Sequence, residues 1–455
     1  MATWAQYLGE KRDRFVDQLL ELLRIPSIST DPAYKTETRR AALWVAARLQ
    51  TAGLEHVKVM ETAGHPVVYG DWLHAPGQPT VLIYGHYDVQ PADPLELWAS
   101  PPFEPVVRDG RVYARAASDM KGNLLLTIVA CEAMLRTTGA LPVNVKFIFE
   151  GEEEVGSPNL VPFVAAHKEL LACDLAVSAD SGQYSEDQPA LLVGLRGLAG
   201  LQIDVRVGSS DMHSGIMGGI AANANQVLVD ILSALKAPDG KITVDGFYDD
   251  VLPLSDADRE MMAHIPDDTA LSVRANGLKA DAGEAGFTPR ERNWARPTLD
   301  INGIWGGFQG DGVKTVIPCE AHAKITCRLA HGQSPSRVIE LLTAHIGRHT
   351  PLTADVSVTP VAGQAIPYLI PADHFGLKAA NSALTRVYGR PPFLMRMGAS
   401  VPVTAIFLQV LGVYTVSYGF SQFDEKMHAP DEFVRLSNFE KGQQAYCLLL
   451  EALAR

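Results

Sequence analysis

The sequence predicts an α/β protein: a discontinuous domain with a mainly parallel sheet flanked by helices, interrupted by a smaller α+β domain. Three observations predict it. Short apolar runs of strand length at 79–84, 143–149 and 175–178 alternate with helical patterns at 124–136 and 160–171, as right-handed crossovers between parallel strands require. After residue 194 the pattern changes to alternation, with Leu201, Ile203, Val205 and Val207 on one face, which suits a half-exposed antiparallel strand. From about residue 371 the α/β character returns. The expected division is 1–195 and 363–455 for the split domain and 196–362 for the insertion.

In chain order, Trp4, Leu8, Phe15, Leu19 and Leu22 recur at helical spacing, so 4–23 reads as an amphipathic surface helix and not a signal peptide. A second helix is expected at 39–52. In the insertion, 198–207 is a strand and 221–235 a helix. Residues 249–297 are polar, acidic and proline-punctuated, with weak helical patches. Strands follow at 298–304 and 321–328, then a helix at 334–346 and a strand at 354–360. The resumed domain carries a helix at 374–388, a strand at 413–418 and a final amphipathic helix at 432–454.

Composition narrows the function. The 455 residues hold 39 Lys plus Arg against 52 Asp plus Glu, a formal charge of −13, with 47% hydrophobic and 20% charged residues. This is a folded globular profile. Without clustered cations it excludes a phosphate-backbone binder, so no nucleic-acid partner is expected. No window approaches the ~20 apolar residues of a membrane span. The five cysteines are scattered without C-x-x-C spacing, which argues against a disulfide framework or a thiolate metal site and for a cytoplasmic protein.

The chemistry gathers where the predicted strands end, the edge at which ligands collect in open α/β sheets. His86 and Asp88 follow the first apolar strand, and Asp119 precedes the 124–136 helix. Glu152, Glu153 and Glu154 follow the second strand, and Asp180 ends the third. His428 lies between the last strand and the last helix. Imidazole and carboxylate suit zinc or a similar divalent ion. The set His86, Asp119, Glu154, Asp180 and His428 is large enough for two such ions sharing a carboxylate. At i, i+2, Asp88 can orient His86 through its other ring nitrogen. Adjacent glutamates cannot point the same way, so one of Glu153 and Glu154 can hold metal while the other acts as general base. Singly, each residue reads equally as a turn, a cap or a solvated helix start. Their joint placement at one edge is what accident does not supply.

The segments 85–89 (Gly-His-Tyr-Asp-Val), 118–122 (Ser-Asp-Met-Lys-Gly), 153–157 (Glu-Glu-Val-Gly-Ser), 178–180 (Ser-Ala-Asp) and 427–430 (Met-His-Ala-Pro) together resemble the cocatalytic zinc peptidase family. That family includes the carnosine and cytosolic dipeptidases, aminoacylases, acetylornithine deacetylase, succinyl-diaminopimelate desuccinylase and glutamate carboxypeptidase. The resemblance spans almost the whole chain. It implies that Asp119 bridges two metals, with Glu154 and His428 completing one site and His86 and Asp180 the other. Glu153 becomes the general base and Asp88 the partner of His86. The implied cofactors are two divalent ions per subunit, zinc first, with manganese or cobalt as alternatives. The insertion becomes a lid through which a homodimer forms.

Within the family the chain resembles the dipeptidase branch, because residue 180 is Asp and 211–215 reads Asp-Met-His-Ser-Gly. The resemblance gives His213 the role of stabilising the oxyanion in a neighbouring subunit. It gives Arg328 that of holding the substrate carboxylate, and the 396–402 loop, with Ser400, that of closing over the substrate's C-terminal residue. The expected activity is hydrolysis of dipeptides or short peptides. An N-acyl or N-carbamoyl amino acid amidohydrolase is the alternative, and a non-catalytic scaffold on a dead peptidase fold is a third reading. Two departures from the family pattern, Ala114 to Ser118 before the bridging aspartate and Ala399 in the loop, add Cβ atoms where glycine is usual. These bear on substrate size and leave the ligands intact.

Overall fold

The structure, a computed structural model, describes residues 3–454. Contacts divide the chain into two compact units, one of residues 1–193, 370–395 and 402–455, the other of residues 194–369 and 396–401.

In the first unit the large sheet runs in the order Glu55–Met60, Val67–Trp72, Asn144–Glu150, Thr80–His86, Leu175–Ser178, Thr415–Ser417, Ala190–Leu195. The strands 144–150, 80–86, 175–178 and 415–417 are mutually parallel, as the crossover pattern predicts. They are almost wholly buried, which is why they read as continuous apolar runs. The antiparallel strands 55–60, 67–72 and 190–195 were not expected. Glu55–Met60 is an exposed edge, and such strands give little hydrophobic signal.

Helix Gly122–Thr138 is buried continuously from Gly122 to Met134. It packs on Leu436–Leu453, which packs in turn on Phe375–Tyr388. Two expected helices differ in detail. The expected 4–23 helix is two, Trp4–Glu10 and Arg12–Leu23, broken at Lys11. The break accompanies tertiary anchoring of the first piece: the Trp4 indole donates to Glu451 Oε1 at 2.8 Å and the Tyr7 hydroxyl to Glu132 Oε1 at 2.9 Å. The last helix starts at Leu436, not 432, because Phe433–Arg435 forms a strand on Arg111–Tyr113.

The second unit is built on an antiparallel sheet in the order Thr298–Gly306, Glu320–Leu329, Gly197–Arg206, Asp355–Pro360. Strands 197–206 and 320–329 alternate buried and less buried residues. Leu201, Ile203 and Val205 pack with Leu228 and Ile231 of helix Ala224–Ser233 and with Val338, Leu342 and Ile346 of helix Pro335–His349. The polar stretch condenses into Asp256–Ala263, Thr269–Ala275 and Pro289–Ala295. The first and last of these are started by capping boxes, Ser255 with Asp258 and Thr288 with Glu291.

One buried charge ties the amino-terminal helices to the central one. Glu132 receives the guanidinium groups of Arg14 and Arg48 and the Tyr7 hydroxyl. Burial would raise its carboxyl, yet Arg48 and Arg14 hold it below the ordinary range. Glu132→Ala leaves the Arg48 charge buried and uncompensated, so chemical denaturation is expected to show a loss of about 3–5 kcal/mol.

Candidate functional site

The parallel strands deliver their carboxyl ends to one edge of the first unit. Strand Thr80–His86 ends on His86, Asn144–Glu150 turns into the short helix Glu153–Val155, and Leu175–Ser178 runs on to Asp180. Asp119 arrives from the turn that starts the central helix. That turn is tight: a Cβ on Gly122 would stand 2.5 Å from the Ala117 carbonyl oxygen, so glycine is required there. His428 comes from the loop beyond strand Thr415–Ser417.

Two three-residue groups result, His86–Asp119–Asp180 and Asp119–Glu154–His428, each with ligand atoms within 4.8 Å of one another. Asp119 belongs to both. His86 Nε2 lies 3.2 Å from Asp119 Oδ1 and 4.0 Å from Asp180 Oδ2. His428 Nε2 lies 2.9 Å from Asp119 Oδ2 and 3.3 Å from Glu154 Oε2.

Asp88 stands behind this set. Its Oδ1 is 3.3 Å from His86 Nδ1, and its carboxylate accepts the backbone N–H groups of Glu153 at 3.3 Å and Glu154 at 3.1 Å. His86 Nδ1 is hydrogen-bonded to the main-chain carbonyl of Asp88 at 3.1 Å, so this one residue turns the imidazole with its carbonyl beside its carboxylate and fixes the glutamate turn with the carboxylate. Gln90 donates to Glu154 Oε2 at 2.9 Å. Glu153 belongs to neither group.

The electrostatics explain what such an arrangement needs. Burial pushes Glu153 up to about 8, with Asp180 and Glu154 adding to it against His86. Burial and then Asp119 push Asp180 up to about 7. Hydrogen bonds to Asp119 and Glu154 raise His428 to about 10. Burial would raise Asp119 too, but His428 and His86 hold it well below the carboxylate range. Partly buried carboxylates this close repel, and the relief is protons or cations. His86 Nε2 and Glu154 Oε1 are buried without a hydrogen-bond partner. The donor set, one imidazole and two carboxylates twice over with a shared member, fits two divalent cations.

Three residues in the site's support escaped the sequence reading, Gln90, Glu425 and Glu432, as did Arg196 in the second unit. The carboxylates of Glu432 and Glu425 grip the 116–119 turn from the His428 loop. Nothing local signals these two, because their partners lie some 300 residues away. Gln90, two residues after Asp88, was within reach of the motif.

The remaining candidates lie in the second unit. Arg328 donates to Ser400 Oγ at 3.2 Å, and that hydroxyl donates to the Arg196 carbonyl at 2.6 Å. The Arg196 guanidinium donates to the carbonyls of Gly398, Arg292 and Arg296. Burial and then Arg328 pull it down to about 10. Among the described residues the hydrogen-bond partners of both guanidinium groups are neutral, so neither charge is balanced by a hydrogen-bonded carboxylate. His213 is exposed and its Nδ1 accepts from Gly215 N at 3.0 Å, so a neutral ring carries its proton on Nε2.

Ala116 holds φ +69°, and on the facing loop Lys426, His428 and Asp431 hold φ values of +56°, +61° and +60°. Each non-glycine residue in this region costs roughly 1–2 kcal/mol. The strain is concentrated in the two loops that bring Asp119 and His428 together.

The sequence profile of peptidase family M20/M25/M40 matches residues 82–452. The chain is 31% identical to the Cys-Gly metallodipeptidase of Schizosaccharomyces pombe, covering 99% of this chain and 97% of the relative. It is 29% identical to the human Beta-Ala-His dipeptidase, covering 99% and 92%. Among solved structures it resembles the M20 family metallo-carboxypeptidase Sso-CP2 of Sulfolobus solfataricus, with a TM-score of 0.81, 29% identity and coverage of 97% and 99%.

Cation ligands must shed their protons. With Asp180 raised to about 7 and His428 to about 10, the cation-free site is partly protonated at neutrality and sheds those protons as pH rises. Affinity for divalent cations is therefore expected to rise from pH 6 to 8. Titration calorimetry in buffers of differing ionisation enthalpy should show proton release, and pH-independent binding would contradict the assignment.

Proposed function

The chain belongs to peptidase family M20/M25/M40, and from that membership we propose that it is a metal-dependent dipeptidase cleaving dipeptides or other short peptides. The observation that carries the reading is the pair of cation groups sharing Asp119, with the raised carboxyl of Glu153 beside them and outside both.

In this reading His86, Asp119 and Asp180 hold one cation, and Asp119, Glu154 and His428 the other. Zinc is the first choice, and manganese or cobalt also suits the donors. Two such ions supply charge compensation for the carboxylates and Lewis acidity toward a scissile carbonyl. Glu153 takes a proton from the attacking water on its carboxylate and returns it to the leaving amine. Burial raises Glu153 far above the ordinary carboxylate range, which suits returning the proton, and the positive charge of two bound cations would lower it again toward a working base. Asp88 keeps Glu153 in reach by holding its backbone N–H, and keeps Nε2 of His86 facing the ion by engaging Nδ1.

Arg328, steadied by Ser400, is assigned the free carboxylate of the substrate, which favours peptides with little beyond the scissile bond. His213 is assigned the oxyanion in the site of a neighbouring subunit, and its Nε2–H tautomer supports that role. The lid is assigned residues 196–362 and the homodimer interface. Strand Thr298–Gly306 is an edge strand with Ile301, Ile304 and Trp305 exposed, and an open apolar edge favours pairing with a second copy. All five cysteines are free, which supports a reducing, cytoplasmic setting. No helix among the described residues is long and apolar enough to cross a membrane.

Glu153→Gln is expected to keep both cations by elemental analysis while kcat on dipeptides falls about 10²–10⁴-fold. Near-normal turnover would remove Glu153 from the mechanism. Arg328→Met is expected to raise KM for dipeptides and leave the corresponding peptide amides nearly unchanged. A panel adding N-acetyl and N-carbamoyl amino acids separates the dipeptidase from an amidohydrolase. Faster cleavage of the acyl substrates would reverse the assignment.

A further inference from the structure

The turn that carries Asp119 is organised around a carboxylate from a distant loop. Glu432 is fully buried. Its Oε2 accepts the N–H of Ala116 at 2.9 Å and Arg115 Nη1 at 2.8 Å, and its Oε1 accepts the N–H groups of Ser118 and Asp119, each at 3.0 Å. Converging backbone amides of this kind form an anion nest. Here the occupant is a side chain of the protein itself.

Glu425, also fully buried, grips the same turn from the other end of the His428 loop. It accepts the Ser118 hydroxyl at 2.6 Å and is held by Gln422 N at 2.9 Å and Arg435 Nη1 at 3.1 Å. His428 lies between these acids in sequence. Asp119 lies at the end of the turn they hold, 2.9 Å from His428 Nε2. The left-handed residues Ala116 and His428 sit inside this clasp, so neither loop is in a conformation it would keep alone.

We propose that Glu432, with Glu425 as its second point of attachment, is the positioning residue that sets the distance between Asp119 and His428 and so the affinity for both cations. The inference rests on the cation reading and is independent of the dipeptidase reading. Glutamine at 432 would turn an NH₂ group toward donors that now share one oxygen. Either the Ala116–Arg115 side or the Ser118–Asp119 side is then released. Because Asp119 belongs to both cation groups, both ions are affected.

The test is cobalt(II) binding to the full chain, followed by chelator competition and by the visible d–d bands. Glu432→Gln is expected to weaken both ions about 10–100-fold, the range for loss of a ligand's supporting partner, and to move the bands. Ser118→Ala, which deletes only the hydroxyl that reaches Glu425, is the second variant should the first fail to fold. It is expected to shift the bands in the same sense with a weakening of about tenfold or less. A residue that merely supports the fold would lower thermal stability and leave bands and affinities alone. Wild type holding two cobalt ions while the folded variants match it would overturn this inference only. Wild type that holds none would overturn the cation reading and this inference with it.

Discussion

Asp119 is one carboxylate placed between two imidazoles, His86 on one oxygen and His428 on the other. The rest of the site follows from keeping it there. Around it stand Glu153, Glu154 and Asp180, acids whose mutual repulsion at a buried sheet edge would drive an ordinary surface apart. What keeps them together is framework: four parallel strands with fixed register, a central helix with no room for a Cβ at its first residue, and carboxylates that hold backbone amides in place of metal. Asp88 does this for the glutamate turn, and Glu432 for the Asp119 turn.

The site is thus two layers of carboxylates with opposite duties. The inner layer is left short of hydrogen bonds, as the unpartnered Glu154 Oε1 illustrates. The outer layer is saturated with them: Glu432 takes four at its carboxylate. A saturated buried carboxylate is rigid, and a ligand borne on a rigid loop meets a cation without paying to be ordered. The left-handed backbone at Ala116 and His428 accompanies the meeting of two loops from distant parts of the chain at one point.

Much of this was legible in the sequence, for identifiable reasons. The four central strands announced themselves because both faces are buried. The 197–206 and 320–329 strands did so by alternation. The inner acids and histidines could be found because each follows directly on a strand end or helix start, so that position along the chain stands in for position in space. The outer layer breaks that rule. Glu432 is separated from Asp119 by more than 300 residues and reads locally as the start of the last helix. Arg196, beside a strand boundary, grips its loop only through backbone carbonyls, which leave no trace in residue type. Edge strand 55–60 was missed because an exposed strand carries no apolar run; the break at Lys11 goes with side-chain anchors on residues far off in sequence, Glu132 and Glu451.

The most direct test of the account is the number of ions each chain retains. After loading with zinc and exhaustive dialysis, elemental analysis should give two per chain for wild type, one for His428→Ala, and none for Asp119→Asn, because the shared carboxylate serves both positions. An Asp119→Asn chain that keeps two ions while folded as wild type would contradict the shared-ligand geometry on which the account rests.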